Sequence, residues 1–159
     1  MTDEAPVMII DDEEHLRVTL GQTLELAGYR PLPFPSAEQA LATLDRDFSG
    51  VVISDIRMPG MDGMSLLREI RQRDPDLPVV LITGHGDVST AVEAMREGAW
   101  DFLEKPFPSE RLGEVVRRGV EKRRLSLENR RLKAELDAQR AAPGPRIIGR
   151  TPAMQQLSA

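Results

Sequence analysis

Short apolar runs recur along the first hundred residues, and each ends at a polar residue. The runs are VMII at 7–10, VVIS at 51–54, VVLI at 79–82 and the shorter DFLE at 101–104. Because the first three are almost wholly apolar and do not alternate, they are typical of strands that are buried on both faces. The pattern therefore predicts a sheet that is covered by helices on both sides.

Amphipathic stretches between these runs predict the covering helices, since their apolar residues recur every three or four positions. The stretches are 13–27, with leucines at 16, 20 and 24; 37–44, behind the potential N-cap Ser36; the residues around Leu66, Leu67 and Ile70; and 88–97. Strands and helices alternate five times. That alternation predicts an α/β fold with right-handed crossovers and a parallel sheet.

A weaker strand is predicted at 29–34, where two prolines restrict its place in the sheet. Pro31 and Pro33 lack an N–H group, and alternate residues of a strand direct their N–H groups to the same side. One side of this strand therefore cannot donate hydrogen bonds, so the strand must lie at an edge. A five-stranded order 2-1-3-4-5 satisfies this requirement and places strands 1 and 3 side by side.

A final helix is predicted from about Pro108 to about Arg140. Four of its residues, spaced four, three and four apart, match d and a positions of a coiled coil: Leu125, Asn129, Leu132 and Leu136. A coil of this kind predicts a parallel homodimer, and a chain cut after about Arg118 is expected to lose it. The alternative is a single helix extension in solvent. The segment APGPR at 142–146 is predicted to be a linker.

Composition and charge exclude several classes of protein. The chain is 40% apolar and 30% charged, as folded domains are, and it has no cysteine for a disulfide, a zinc thiolate or a thiol nucleophile. With no run near the roughly 20 apolar residues of a membrane span and no signal peptide, we expect a cytoplasmic protein without membrane contact. Residues 1–110 have 9 basic and 21 acidic residues, whereas 111–140 have 10 and 5. This split indicates two modules.

Polar residues follow the carboxyl ends of the predicted strands, where α/β sheets bind ligands. They are Asp11, Asp12, Asp55, Thr83 and Lys105. Because strands 1 and 3 are neighbours, the three aspartates are expected to converge, and their repulsion favours a bound cation. Mg²⁺ prefers oxygen ligands and needs only one or two carboxylates. Taken singly, each residue could instead cap a helix, occupy a turn or be a surface charge; together they predict one site.

Four segments, VMIIDDEEHLR, VVISDIRMPGMDGMSLL, VVLITGHGD and AWDFLEKPF, resemble the receiver domain of response regulators over residues 5–123. The resemblance implies a flavodoxin-like receiver fold. It also implies that Asp55 accepts a phosphoryl group from the phosphohistidine of a sensor histidine kinase. Thr83 and Lys105 would bind the phosphoryl oxygens, and the peptide bond between Lys105 and Pro106 would be cis.

The same resemblance implies a metal site and a switch. Mg²⁺ would be held by Asp12, Asp55 and the backbone carbonyl of Arg57, with Asp11 acting through a water. Phe102 would take the place of a switch aromatic that is often Tyr. The domain would be a signalling switch whose own chemistry is limited to self-phosphorylation and autodephosphorylation.

The end of the chain resembles a second family. RIIGRTPAMQQL is similar to the start of the AAA+ ATPase domain of sigma-54-dependent transcription activators. The implied division is a receiver at 1–123, a coiled-coil dimerisation linker at 124–141, and a linker with the start of a truncated ATPase domain at 142–159. The full-length activator would bind ATP, sigma-54 RNA polymerase and DNA, but not through this chain. TLELAGY, SDIRMPGMDGM and TGHGD most resemble regulators of C4-dicarboxylate transport.

Two other classes of protein are compatible with parts of the sequence. A haloacid-dehalogenase-type phosphatase also uses an Asp nucleophile, Mg²⁺, a Thr and a Lys. Such an enzyme needs a second Asp as general acid two residues after the nucleophile, where this chain has Arg57. A basic zipper could begin at Lys122, Arg123 and Arg124, but an acidic domain precedes them where a basic region would need to extend. These three charges are therefore expected on the solvated faces of the coil.

Overall fold

The alternation of apolar runs and amphipathic stretches gives five strands and five helices in the computed structural model, which describes residues 4–141. All strand pairs are parallel, in the order β2-β1-β3-β4-β5, so the predicted fold class is confirmed. The elements are β1 Pro6–Ile10, α1 Glu14–Leu26, β2 Arg30–Phe34, α2 Ala37–Thr43, β3 Val51–Asp55, α3 Gly63–Arg73, β4 Val79–Thr83, α4 Val88–Arg96, β5 Asp101–Glu104 and α5 Ser109–Ala141.

Strand β2 lies at an edge of the sheet, as its prolines require. Its Arg30 donates its N–H to the carbonyl oxygen of Ala5 at 2.9 Å, on the side of β1. Because alternate residues of a strand face the same side, Pro31 and Pro33 lie with their nitrogens toward the outer side. Each proline is thus placed where no strand needs a donor.

Two apolar layers cover the sheet, one on each face. Alternate residues of β1 enter different layers: Met8 and Ile10 pack with α2, α3 and α4, whereas Val7 and Ile9 pack with α1 and α5. The middle strands are buried along almost their whole length. Both faces are therefore covered, as the apolar strands predicted, and only the strand ends are left for polar chemistry.

Helix α5 is 33 residues long, and the chain divides within it into one compact unit that ends at Leu127 and another that begins at Glu128. In the first unit the buried side chains of α5 include Leu112, Val116 and, with none of its surface exposed, Arg123. The prediction that Arg123 lies on a solvated face was wrong, because its guanidinium group finds hydrogen-bond acceptors inside the domain.

The predicted coil residues are accessible. Leu125, Leu132 and Leu136 are 50%, 49% and 47% exposed, and Asn129 is exposed as well. The predicted linker and the predicted start of an ATPase domain, 142–159, fall outside the described residues. Among the helices of the described range, none combines the length and apolar character needed to cross a membrane.

Candidate functional site

Asp55, the last residue of β3, lies at the carboxyl end of the sheet, and its carboxylate accepts two hydrogen bonds. The ammonium group of Lys105, which follows β5, donates to Oδ2 at 3.1 Å, and the backbone N–H of Arg57 donates to Oδ1 at 3.1 Å. The Asp55 side chain is only 13% exposed. The peptide bond between Lys105 and Pro106 is cis. The structure thus brings Asp55 and Lys105 together and fixes the orientation of the carboxylate.

Asp11 lies directly after β1 and is buried, and its two carboxylate oxygens differ in their contacts. Its Oδ1 accepts the backbone N–H of Glu13 at 2.9 Å, whereas its Oδ2 has no hydrogen-bond partner within residues 4–141. Burial raises the pKa of Asp11; the nearby carboxylates of Asp55 and Asp12 also raise it, and the Glu13 hydrogen bond and Lys105 oppose the rise. Asp12 is exposed. The site therefore concentrates negative charge beside a single lysine.

Thr83 ends β4, and its side chain is buried. Its hydroxyl oxygen has no hydrogen-bond partner in the described part of the chain. Thr83 and the half-buried Phe102 of β5 line one cavity of about 420 Å³, which α4 closes with Val88 and Met95 among others. A buried hydroxyl without a partner costs free energy, so the Thr83 hydroxyl is available to a ligand or a water that enters the site.

The loop from β3 to α3 is fixed by contacts at several points. The Asp62 carboxylate accepts the N–H of Ser65 and so caps α3, and Gly63 donates its N–H to the Ile56 carbonyl at 2.8 Å. Glu38 of α2 accepts the N–H of Met61 at 3.1 Å. Glu38 was not predicted as part of the site, because nothing near it in the chain indicates a contact 23 residues away.

Gly63 allows the first turn of α3 to contact the backbone of Asp55. A Cβ atom at this position would lie 2.5 Å from the Asp55 carbonyl oxygen and 2.8 Å from the Ile56 Cα. We expect Gly63→Ala to lower the free energy of unfolding by about 1–3 kcal/mol, because both neighbours are backbone atoms that cannot turn aside. Urea denaturation measures this change.

Gly113 supplies the matched control. It lies in α5, and a Cβ atom there would have no neighbour within 4 Å. Gly113→Ala is expected to raise the free energy of unfolding by about 0.5–1 kcal/mol, because alanine is the better helix former. If the two variants were equally stable, the close contact between α3 and Asp55 would be disproved.

A second pair of loops meets at the same end of the sheet through Arg57. Its guanidinium group lies 3.2 Å from the Asp87 carboxylate at the start of α4, and the Arg57 side chain is 80% exposed. A hydrogen bond from Thr90, together with Arg57, lowers the pKa of Asp87. The sequence predicts a backbone role for Arg57 at the metal and excludes it as a general acid, but gives no sign of this ion pair. The structure shows that its side chain connects the loop after Asp55 to α4.

The carboxylate oxygens at this site suit a hard cation, although they do not by themselves form a complete set of metal ligands. In the described range 4–141, no three His, Asp or Glu side chains form a group that could hold a metal ion by themselves. The buried Oδ2 of Asp11, without a partner, and the neighbouring Asp55 carboxylate are oxygen ligands whose charge is only partly compensated. Such a set fits Mg²⁺, which takes few carboxylates and keeps several waters.

Comparison with known proteins identifies the family. The response regulator receiver domain matches residues 7–117, which is more than half of the chain. The chain therefore belongs to the response regulator receiver family, and the resemblance found in its motifs is confirmed. Receiver domains act in signalling rather than in metabolic catalysis.

Within this family, the chain is similar to two curated regulators of C4-dicarboxylate transport, both named DctD. The Rhizobium meliloti (strain 1021) protein is 52% identical over 99% of this chain and 34% of its own length. The Pseudomonas aeruginosa protein is 55% identical over 97% of this chain and 33% of its own length. The chain thus spans about a third of these relatives. A solved receiver domain from Clostridium thermocellum superposes with a TM-score of 0.72 at 34% identity, over 76% of this chain and 98% of that one.

Proposed function

We propose that Asp55 accepts a phosphoryl group from the phosphohistidine of a sensor histidine kinase. The observation that supports this most is the contact between Asp55 and Lys105, at 3.1 Å. A partly buried carboxylate with a lysine at one oxygen can attack phosphorus while the ammonium group stays beside the incoming negative charge. Thr83, which follows the residue paired with Asp55 across the sheet, keeps its hydroxyl ready to donate.

In the proposed transfer, an Asp55 carboxylate oxygen attacks the phosphorus atom of the donor. The new P–O bond forms as the P–N bond to the kinase imidazole breaks, and the imidazole keeps the electron pair. In this proposal, Lys105 and Thr83 bind the phosphoryl oxygens of the resulting acyl phosphate. The added charge then attracts Thr83, and the volume that the hydroxyl leaves is available to Phe102, which lines the same cavity.

The proposed cofactor is Mg²⁺, held by Asp12, Asp55 and the backbone carbonyl of Arg57, with Asp11 acting through a water. When bound, the ion supplies positive charge that offsets the carboxylates and the phosphoryl oxygens. The orphaned Oδ2 of Asp11 supports this assignment. The exposed Asp12 provides a ligand at the entrance to the site.

Intact mass spectrometry tests the proposal. After incubation with acetyl phosphate and Mg²⁺, we expect one phosphoryl group per chain, and peptide mapping should place it on Asp55. Asp55→Asn should abolish the mass increase because the amide is a poor nucleophile, and EDTA should abolish it in the unchanged protein. Phosphate mapped to any other residue would refute the assignment.

The phosphatase alternative lacks its general acid. The position two residues after Asp55 is Arg57, which does not release a proton near neutral pH. Its guanidinium group instead faces the Asp87 carboxylate. Turnover of a substrate would need a proton donor at that place, so the chemistry of the site is better suited to self-phosphorylation and slow autodephosphorylation than to an enzyme.

We further propose that the receiver controls a sigma-54-dependent transcription activator of C4-dicarboxylate transport in the cytoplasm, and that it works as a homodimer. The names of the two similar regulators support the first part. The half-exposed leucines at 125, 132 and 136 support the second. ATP, sigma-54 RNA polymerase and DNA would be bound by the parts of the activator beyond this chain.

A further inference from the structure

Among the described residues, Arg123 has the largest fully buried side chain. The proposed phosphorylation does not use its charge. Its Nη2 lies 2.7 Å and its Nη1 3.2 Å from the two carboxylate oxygens of Asp74, so the pair is bidentate. Its Nε donates to the Phe48 carbonyl at 2.7 Å, and Nη2 reaches the Arg46 carbonyl at 3.4 Å. We call this group of four residues the Arg123 clamp.

The clamp lies at the end of α3 that is far from Asp55. Asp74 is the C-cap of α3, and its N–H donates to the Ile70 carbonyl at 2.7 Å. At the other end of this 11-residue helix, Gly63 contacts the backbone of Asp55 and Ile56. A helix of that length spans about 16 Å. One rigid element therefore contacts both the phosphoacceptor and the last fully buried residue of α5.

We propose that α3 and the Arg123 clamp form a mechanical connection from the phosphoacceptor loop to α5. A displacement of the loop after Asp55 moves the first turn of α3, and the helix transmits it to Asp74. The bidentate pair then passes it to Arg123, because a fork of two hydrogen bonds fixes direction as well as distance. Helix α3 lies on the same face of the sheet as α4 and the cavity of Thr83 and Phe102, but the connection reaches α5 through Asp74, at the far end of α3, and not through that cavity.

The chemistry of the clamp suits a positioning role. A buried ion pair contributes little net stability compared with a well-packed apolar pair, because desolvation of both charges offsets their attraction. However, the two parallel hydrogen bonds between Arg123 and Asp74 form only at one relative orientation, so a shift of either side chain breaks them. Arg123 is thus a positioning residue for α5, at the place where the buried part of that helix ends.

Hydrogen exchange on the full chain without any ligand tests the connection directly. Arg123→Lys keeps the charge but cannot form the fork. We expect exchange of amides 56–66, at the far end of α3, to change about fivefold or more, with amides 14–26 of α1 unchanged. The control is Arg124→Met, which removes an exposed pair with Glu121 from the neighbouring position and should leave both segments unchanged. An unchanged 56–66 segment, or an equal change in α1, would overturn the proposal.

A second measurement adds phosphorylation, and this arm rests on the proposed function of Asp55. With acetyl phosphate and Mg²⁺, exchange of amides 119–127 should change about fivefold in the unaltered chain and not in Asp74→Asn. Intact mass reports phosphorylation separately. A phosphorylated chain whose α5 does not respond, or an equal response in Asp74→Asn, contradicts the connection. If no phosphoryl group is taken up, the phosphoacceptor assignment fails, and the ligand-free measurement alone decides the connection.

Discussion

Arg123→Met is expected to lower the free energy of unfolding by about 3–5 kcal/mol, although it replaces one residue of a helix that is largely charged. The substitution removes the guanidinium group from the buried carboxylate of Asp74 and takes a donor from the Phe48 carbonyl. Breaking a buried pair in this way leaves a desolvated charge that water cannot reach, which is why the loss is large. Urea denaturation followed by the fluorescence of the single tryptophan, Trp100, measures it.

Trp100 is a suitable probe because its indole N–H donates to the Val115 carbonyl of α5 at 3.3 Å. Arg124→Met is the control. Its ion pair with Glu121 is exposed on both sides, so the change should stay within about 0.5 kcal/mol. Equal losses in the two variants would show that Arg123 contributes no more than a surface charge.

A chain that ends after Leu127 is expected to be monomeric at concentrations where the full chain is a dimer. The sequence placed the cut near Arg118, but that cut would also remove Arg123 and part of the packed core. Burial of each leucine at 125, 132 and 136 contributes roughly 1.5–3 kcal/mol, enough across two chains to offset the entropy of association. Sedimentation equilibrium of the two chains measures the difference.

Leu132→Glu, in the full-length chain, gives the same test without a truncation. Because both chains of the proposed dimer carry the change, the helix interface would gain two negative charges and lose two leucines. Association should therefore weaken by more than roughly a hundredfold. Leu26→Glu is a matched control, because Leu26 is 91% exposed at the end of α1. If the short chain remained as dimeric as the long one, the interface would lie on the domain before Glu128.

The sheet and most of the site were predictable because their signals are local. Apolar runs of four residues mark buried strands, and Pro31 and Pro33 fix the edge. Since ligands bind where parallel strands end, the residue after each run is a candidate for the site. The structure places Lys105 against Asp55, and it puts Asp11 close enough to Asp55 that the Asp55 carboxylate adds to the rise in the pKa of Asp11 that burial causes. Spacing along the chain was sufficient for these contacts.

The contacts that were missed join residues far apart in sequence. Arg123 binds Phe48 and Asp74 across 75 and 49 positions, and its neighbours Lys122 and Arg124 make it look like part of a solvated run. One signal was present: Arg123 follows the buried Val116 by seven residues, which places it on the same face of α5. Charge patterning outweighed that periodicity in the sequence analysis.

The prolines of β2 also determine how molecules of this protein can meet. With no N–H at positions 31 and 33 on the outer side, the β2 edge of the sheet cannot pair fully with a strand of another chain. Exposed edge strands otherwise tend to pair with edge strands of other molecules, which leads to aggregation. The β2 edge therefore has a built-in barrier to the addition of further strands, which leaves the four-residue β5 as the one edge of this sheet with its N–H groups intact.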